Sequence, residues 1–248
     1  MHVLGIDIGG SGIKAAIVDV ESGELASERI RKVTPKPATP ANIAEVLTEI
    51  IEAFSWQGII GCTFPTVVIN GVAKYSSNLD PSWVGVNVEA LFRTRIGSDQ
   101  LTVINDADAA GLAEVTFGAG RDKKGMVVTI TVGTGIGSGL FYNGTLIPNI
   151  EMGHMYDKKG RLSEKRVSDR SRKKHNLTYK KWGRRFDKYL KHVDKIFSPD
   201  YVIIGGGISK NMDKFHKRLT LKTPVLAAEK LNNAGIIGAA IHASRYLK

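Results

Sequence analysis

Cysteine, long apolar runs and metal-ligand patterns are nearly absent from this sequence. Its single cysteine, Cys62, excludes an internal disulfide framework and any zinc site built on a cysteine cluster. No apolar run approaches the roughly 18 residues of a membrane-spanning helix, and no signal peptide precedes the first predicted strand at Val3. The six histidines show no metal-ligand spacing. These absences predict a cytoplasmic protein without a membrane partner, and the 248 residues suffice to bury a full core.

Acidic residues are also scarce in one segment. Between Lys158 and Lys195 the chain has sixteen Lys or Arg and only four acidic residues, an excess that by itself accounts for the net charge of +11. A face that serves only solubility usually mixes both signs, so the bias favours a linear polyanion as partner. Inorganic polyphosphate and nucleic acid both carry repeating charges, and electrostatics alone does not separate them.

The apolar residues of the same segment recur at helical spacing. Six of them predict the buried stripe of one helix: Tyr179, Trp182, Phe186, Tyr189, Val193 and Ile196. Because these aromatic rings fall on the buried face, none is expected to stack on nucleic-acid bases, and polyphosphate is the favoured partner. The candidate polyphosphate track consists of Lys173, Lys174, Lys181, Arg184 and Arg185. A solvated helix face is the alternative.

The order of predicted elements is typical of an α/β protein with two related lobes. Strands followed by helices occur once before residue 105 and again after it, with a final apolar helix near the end of the chain. We therefore predict a smaller N-terminal lobe of residues 1–104 plus 236–248 and a larger C-terminal lobe of residues 105–235. Mixed sheets flanked by helices are expected in both.

Two glycine-rich turns, each directly after a predicted strand, indicate phosphate binding. They lie at 9–12 and 133–139, and glycine there lets backbone N–H groups approach a charged ligand. Asp7 ends the strand before the first turn, where it either caps its own turn or holds Mg²⁺ beside the phosphates. Lys14 reaches a phosphate or points to solvent. The first set of predicted donor-binding residues is Asp7, Gly9, Gly10, Ser11, Gly12 and Lys14.

Polar residues at a strand end predict the sugar site. Asn105 and Asp106 follow a strand and begin a helix, which suits an ordinary helix cap and also a general base at the ligand-binding edge of an α/β sheet. Glu151 and His154 are spaced i, i+3. Together with Asn78 they supply donors and acceptors for sugar hydroxyls, and unpaired buried groups would reject the wrong sugar.

Taken together, these motifs resemble the ROK family of sugar kinases and repressors. The resemblance rests on residues 7–14, 105–108, 131–139 and 205–209, and residues 34–40, 76–83 and 148–154 are similar to its polyphosphate glucokinase branch. It implies an actin-like (ribonuclease H-like) two-lobe ATPase fold, a homodimer, and phosphorylation of glucose at the 6-hydroxyl with Asp106 as base. It also implies that Asn78, Asn105, Glu151 and His154 hold the sugar. The glycine turns with Thr134, Gly135, Gly205, Gly206 and Gly207 would surround the donor.

The chain departs from the family pattern in one region. Many ROK proteins carry a three-cysteine zinc motif after the Glu–His pair, and this chain lacks those cysteines, so no structural zinc is expected. Glu164 is the nearest candidate for a further sugar-binding glutamate that follows that motif in the family. The regulatory branch carries an N-terminal helix-turn-helix, for which no segment is present before Val3.

The prediction is a kinase that uses polyphosphate and Mg²⁺, with ATP as a further candidate donor. A strictly ATP-dependent hexokinase acting on glucose, mannose or another hexose is the alternative within enzymes. A non-catalytic, sugar-responsive protein that binds polyanions is the alternative outside them, and nucleic acid is not the expected partner.

Overall fold

The computed structural model describes residues 1–75 and 79–247. The strands are β1 (His2–Gly9), β2 (Gly12–Asp19), β3 (Glu24–Leu25), β4 (Ile30–Lys32), β5 (Ile60–Phe64), β6 (Val68–Ile69), β7 (Val72–Ala73), β8 (Leu101–Asn105), β9 (Met126–Val132), β10 (Ile136–Tyr142), β11 (Thr145–Ile147), β12 (Tyr201–Gly205) and β13 (Val225–Ala227). The helices are α1 (Pro40–Ala53), α2 (Val88–Ile96), α3 (Asp106–Phe117), α4 (Glu164–Val167), α5 (Asp169–Lys174), α6 (Tyr179–Phe197) and α7 (Ala234–Tyr246).

The chain forms two compact units. One comprises Met1–Ala113 and Asn233–Lys248, and the other comprises Glu114–Asn232. The predicted lobe boundary at 104–105 therefore lies inside the first unit, at the point where β8 runs directly into α3. Asn105 and Asp106 belong to the first unit for that reason.

The two units share one strand arrangement. In the first unit the main path is β3-β2-β1-β5-β8, with β1 antiparallel to β2 and parallel to β5. In the second unit the path is β11-β10-β9-β12-β13, with β9 antiparallel to β10 and parallel to β12. The last strand of each path is parallel to its neighbour. Each strand of the first path thus has a counterpart at the same place in the second path, as predicted for two related α/β halves.

The backbone of helix α7 packs directly against the backbones of β1 and β5 in the first unit. A Cβ added to Gly5 would lie 2.2 Å from the carbonyl oxygen of Ile236, and one added to Gly61 would lie 2.0 Å from that of Ala239. The two strand glycines therefore permit the close approach of the helix, which covers the sheet from which Asp7 projects.

Local sequence signals set several helix ends. The side chain of Thr39 accepts a hydrogen bond from the backbone N–H of Asn42, and Pro40 occupies the first turn of α1, as predicted. Helix α2 ends at Gly97 in the left-handed conformation. The helix expected after Gly207 is instead a 3₁₀ segment, Ser209–Lys214, with non-helical dihedral angles at Asn211.

The core of the second unit is built around α6. Trp182 stacks on Phe186 with ring centroids 4.7 Å apart, and Phe215 meets Trp182 edge-on at 4.9 Å. Trp182, Phe186, Tyr189 and Val193 are buried as the stripe predicted. Ile196 is 53% exposed, so the stripe ends one turn before the helix does. Within the described residues, no helix has both the length and the apolar character needed to cross a membrane.

Candidate active site

Two side chains of the first unit hold Asp7 in place. Its carboxylate accepts hydrogen bonds from Nζ of Lys14 and from the hydroxyl of Thr63, each at 3.0 Å. Lys14 stands directly opposite Asp7 in the β1–β2 pair, which explains the ion pair. A Cβ at Gly235 would lie 2.7 Å from Asp7 Oδ1, so this glycine leaves room for the carboxylate. Lys14 is thus engaged by Asp7 rather than pointing freely into solvent, and its contact with a phosphate stays a prediction.

The first glycine turn is a tight hairpin between β1 and β2. Gly9 pairs with Gly12 across it, so that Gly10 and Ser11 form the exposed tip. The guanidinium of Arg31 lies against Gly12 and donates to the carbonyl oxygen of Ser11 at 2.9 Å. Sequence reasoning missed Arg31. Its only signal is its position in β4, where it pairs with Lys14 of β2.

Asn105 caps helix α3. Its side-chain oxygen accepts hydrogen bonds from the backbone N–H groups of Ala107 and Asp108, at 2.9 and 3.1 Å. Its amide nitrogen donates to the carbonyl oxygen of Thr66 at 3.0 Å. Asn105 is buried, and these bonds orient the helix start that presents the half-buried Asp106. The sugar-binding role of Asn105 stays a prediction, and the capping alternative is what the geometry shows.

Asn78, the other sugar residue predicted for this unit, lies outside the described residues. The described part of its segment resumes at Leu79. There Asp80 caps the short Pro81–Trp83 turn, and the indole N–H of Trp83 donates to the carbonyl oxygen of Ala38 at 2.8 Å.

In the second unit the predicted sugar residues come together. Burial raises the pKa of Glu151, while the nearby His154 lowers it and the charge of Glu164 raises it further. Glu151 is therefore within electrostatic range of both His154 and Glu164, although Glu164 lies well beyond it in sequence. Glu164, which was predicted only from a loose family resemblance, belongs to this cluster.

Glu164 also braces the second glycine turn. Its Oε2 accepts a hydrogen bond from the backbone N–H of Ile136 at 3.1 Å, and a Cβ added to Gly135 would crowd that same oxygen. Thr134 is exposed at the tip of the turn. The backbone N–H of Ile136, within the second glycine turn, is therefore engaged by a carboxylate.

The third glycine run has one position that requires glycine. Gly206 has a φ of +75°, and a Cβ there would lie 2.6 and 2.7 Å from the carbonyl oxygen and nitrogen of Val132. A Cβ added to Gly205 would make ordinary contacts at 3.5 Å or more, and a Cβ added to Gly207 would meet nothing within 4 Å. Gly206 shapes the end of β12, whereas Gly207 leaves open space beside the backbone.

Tyr189 is a neighbour of Glu151 that sequence reasoning assigned only to the core. Burial and the charge of Glu151 both raise the pKa of its phenol. The ring is stacked on Phe186 at 5.9 Å, and its buried hydroxyl has no hydrogen-bond partner in the part of the chain that the structure describes. No local sequence signal distinguishes it from the other stripe residues.

A basic groove of about 970 Å³ lies on the second unit, between α6 and the segment 157–167. It is lined by one acidic residue, Asp157, and by nine cationic residues: Lys158, Lys159, Arg161, Arg166, Arg184, Arg185, Lys188, Lys191 and Lys195. We refer to it below as the basic groove.

The basic groove contains two of the five predicted track residues, Arg184 and Arg185. Lys173, Lys174 and Lys181 do not line it. Lys173 instead pairs with Asp169 one turn away on α5, at 2.8 Å. The charge run alone predicted a polyanion surface without showing which of its lysines converge.

Magnesium requires a different ligand set from zinc. The described residues contain no group of three or more His, Cys, Asp or Glu side chains that could enclose a metal ion. Mg²⁺ commonly binds through one or two carboxylates and the phosphates of a substrate, keeping its own waters. The single carboxylate of Asp7 beside a glycine turn fits that mode, although Lys14 now neutralises it.

The sequence model of the ROK family matches residues 3–161, more than half of the chain. The chain belongs to the ROK family. The polyphosphate glucokinase of Mycobacterium tuberculosis is 45% identical over 240 residues, covering 97% of this chain and 90% of that protein. The polyphosphate glucokinase of Mycobacterium leprae is 43% identical over 237 residues, covering 96% of this chain and 73% of that protein.

Solved structures confirm the fold class of this ROK protein. The inorganic polyphosphate/ATP-glucomannokinase of Arthrobacter sp. strain KM is 42% identical, with a TM-score of 0.92 and 98% of each chain covered. A ROK glucokinase of Streptomyces griseus, solved with glucose and AMPPNP, is 24% identical with a TM-score of 0.84, covering 99% of this chain and all of that one. The actin-like α/β fold expected from the sequence is therefore confirmed.

Proposed function

We propose that this protein phosphorylates glucose at its 6-hydroxyl with inorganic polyphosphate as the phosphoryl donor. The observation that carries the proposal is the likeness, over nearly the whole chain, to proteins that are named polyphosphate glucokinases. The cluster of Glu151, His154 and Glu164 and the exposed cations of the basic groove supply the chemistry that such a reaction needs.

Asp106 acts as the general base in this proposal. Its carboxylate accepts the proton of the 6-hydroxyl while that oxygen attacks the terminal phosphorus of the donor. The bond from this phosphorus to the bridging oxygen breaks, and the donor leaves one phosphate shorter. A positioned base contributes about 10²–10⁴ in rate, and the rest comes from positioning and charge neutralisation. The Asn105 cap gives Asp106 a fixed place at the helix start.

The sugar is held by hydrogen bonds to charged and polar side chains. The proposed contacts are Asn78, Asn105, Glu151, His154 and Glu164. A hydrogen-bonding site discriminates strongly, because a sugar that lacks one hydroxyl leaves a buried partner unsatisfied. Since Asn105 already makes three hydrogen bonds, we expect it to contribute mainly through its remaining amide hydrogen.

The donor phosphates are proposed to contact the backbone of the glycine turns and the cationic side chains beside them. Lys14 would exchange its ion pair with Asp7 for a phosphate, which leaves Asp7 available to Mg²⁺ directly or through water. When bound, Mg²⁺ supplies neutralisation of the charge on the transferred phosphoryl group. Arg31, which already lies over Ser11, is a further candidate for a phosphate contact.

ATP and mannose are the second candidates for donor and acceptor. The Arthrobacter protein, 42% identical, is named a polyphosphate/ATP-glucomannokinase, and this likeness favours both. A homodimer and a cytoplasmic location stay predictions.

A direct assay separates these alternatives. Purified protein with Mg²⁺ is incubated with glucose or mannose and with polyphosphate or ATP, and the sugar phosphate is measured. Formation of glucose 6-phosphate from polyphosphate supports the proposal. Formation only from ATP supports the ATP-dependent alternative, and glucose binding without any product supports the non-catalytic one.

The role of Asp106 is tested with Asp106→Asn, which keeps the shape and removes the base. We expect kcat to fall about 10²–10⁴-fold with glucose binding nearly unchanged. Asp122→Asn is the matched control, because Asp122 is exposed on a turn at φ +62°, a conformation that Asn adopts readily. Near-normal turnover of Asp106→Asn would remove Asp106 from the mechanism.

A further inference from the structure

The cations of the basic groove differ in whether a carboxylate neutralises them. Arg161 and Arg166 pair with Asp157, at 2.7 and 3.4 Å, and Lys191 pairs with Asp187 at 3.2 Å. Six others form no ion pair with any residue that the structure describes: Lys158, Lys159, Arg184, Arg185, Lys188 and Lys195. The groove therefore carries a local excess of positive charge that the protein itself does not compensate.

Asp157, the one acidic residue of the groove, organises the rim. Its carboxylate accepts hydrogen bonds from the backbone N–H groups of Lys159 and Arg161, at 2.8 and 3.1 Å, and from the guanidinium of Arg161. The Arg161 hydrogen bonds hold the pKa of Asp157 well below its usual range. Asp157 therefore stays ionised, and its one negative charge offsets only one of the nine positive charges of the groove.

The cations on α6 are arranged in a line. Arg184, Lys188, Lys191 and Lys195 follow each other at spacings of four, three and four, so they share one face of the helix. At 1.5 Å per residue this row is about 16 Å long. A row of positive charges suits a thin chain with a charge on every unit, whereas a compact ligand such as a nucleotide would contact only one part of it.

The lining of the groove favours polyphosphate over nucleic acid. Single-stranded nucleic acid is usually held by exposed aromatic rings on which bases stack. Tyr189 in this groove is 5% exposed, and its ring is covered by Phe186. The other ring that lines it, His192, is half-buried. The described residues that line the groove thus offer cations for charge contacts with phosphates but no exposed aromatic ring on which a nucleic-acid base could stack.

One short helix connects the groove to the proposed transfer site within the second unit. Glu164, at the start of α4, contacts Gly135 and Ile136, while Arg166 and Val167 at its end line the groove. Tyr189, in the groove wall, is within electrostatic range of Glu151. A chain lying in the groove is therefore close to the glycine turn at which the donor is proposed to react.

We propose that the basic groove binds an internal stretch of the polyphosphate chain, several units away from the phosphate that is transferred. This inference rests on the proposed function, because it assigns a second contact region to the same donor. Long chains would be held at two places and short chains only at the transfer site. The groove would therefore set a preference for long donors and would contribute little to the use of tripolyphosphate or ATP.

The test compares two triple variants with the same change in charge. The groove variant is Arg184→Gln/Lys188→Gln/Lys195→Gln. The control variant is Lys124→Gln/Lys217→Gln/Lys222→Gln, three exposed lysines of the second unit that lie outside both the groove and the predicted track. Both are checked for unchanged thermal unfolding. The KM for long-chain polyphosphate, the KM for tripolyphosphate and kcat are then measured at several salt concentrations.

For the groove variant we expect the KM for long-chain polyphosphate to rise about tenfold at low salt, as three weakened charge interactions imply. Its KM for tripolyphosphate and its kcat should change less than about twofold, and the control variant should resemble the wild type. By analogy with single-stranded nucleic acid, the slope of log KM against log salt should fall by about 0.7 for each phosphate that a removed cation no longer neutralises. Equal effects in both variants, or an equal rise for long and short donors, would overturn the proposal.

A binding measurement that needs no turnover distinguishes failure of the groove proposal from failure of the proposed catalytic function. Labelled long-chain polyphosphate is titrated into each variant in the absence of glucose, with single-stranded DNA as competitor. Weaker binding by the groove variant alone supports the groove even if the catalytic assignment fails. Tighter binding of single-stranded DNA than of polyphosphate by the wild type would make the groove a nucleic-acid site instead, and unchanged binding by the groove variant would exclude it as a donor contact.

Discussion

Glu164 accepts a hydrogen bond from the backbone N–H of Ile136 at 3.1 Å, and the same carboxylate raises the pKa of Glu151. One side chain thus fixes the second glycine turn and tunes a proposed sugar ligand. The two effects depend on different properties of Glu164, the first on an acceptor oxygen and the second on a negative charge. Substitution can therefore separate them.

Glu164→Gln should move the acid limb of the pH profile. The amide oxygen still accepts from Ile136, but the charge that disfavours ionisation of Glu151 is removed, so the pKa of Glu151 falls. If ionised Glu151 holds glucose, activity is lost as pH falls through that pKa, and the limb of kcat/KM for glucose shifts to lower pH. Glu164→Ala serves as the comparison, because it also removes the acceptor and should cost about 1 kcal/mol of stability. A limb that stays in place in Glu164→Gln would contradict the coupling.

Gly206→Ala should destabilise the protein whereas Gly207→Ala should not. At Gly206 the added methyl group meets the backbone of Val132 at a positive φ, so both sterics and conformation oppose it. We expect a loss of at least about 2 kcal/mol, or a fall in Tm of about 4–8 °C for a chain of this size. At Gly207 the methyl group meets nothing within 4 Å. Thermal unfolding of both variants checks the contrast, and equal Tm values would contradict it.

The sequence predicted much of the fold because its signals are local. The Thr39–Pro40 start of α1 and the strands Met126–Val132 and Ile136–Tyr142 follow from caps, turns and apolar runs that lie within a few residues of each other. The segment after Gly207 was predicted as a helix and is 3₁₀, because no capping side chain or regular apolar spacing supports an α-helix there.

Residues of the candidate site could be predicted only where they belong to a recognisable local sequence motif. Asp7, Asn105 and Glu151 follow from their positions at strand ends and turns, but their partners come from distant parts of the chain. Thr63 donates a hydrogen bond to Asp7 from β5, and Tyr189 on α6 is within electrostatic range of Glu151. These contacts depend on how strands and helices pack, which local patterns do not contain. For the same reason, only Arg184 and Arg185 of the cations that line the basic groove were among the predicted track residues.

His242 should make stability depend on pH. Burial lowers its pKa to about 4, with the charge of Arg245 adding to the effect, against an ordinary value of 6.5. Between these values the unfolded chain binds more protons, so stability rises with pH across this window and is lost as pH falls from 6.5 towards 4. This contribution makes the wild type about 2 kcal/mol less stable at pH 5 than at pH 7.

His242→Gln should therefore flatten the loss of stability between pH 7 and pH 5. Urea unfolding at both pH values measures it, and His216→Gln, at an exposed position, is the control. An identical pH dependence in His242→Gln and wild type would show that the ring is not held neutral by its burial in α7.

Tyr189→Phe should leave the protein at least as stable as the wild type. The Tyr189 hydroxyl is buried without a hydrogen-bond partner among the described residues, and burying such a group costs about 1–3 kcal/mol. Phenylalanine keeps the ring that stacks on Phe186 and removes only that oxygen. We expect a gain of about 1 kcal/mol in the free energy of unfolding, measured in urea, with an unchanged KM for glucose. Tyr189→Leu is the control for the ring, and should be less stable than both because leucine cannot stack on Phe186. A clear loss of stability in Tyr189→Phe would mean that a bound water or the Glu151 carboxylate satisfies the hydroxyl in solution, and a raised KM would assign that hydroxyl to the sugar site.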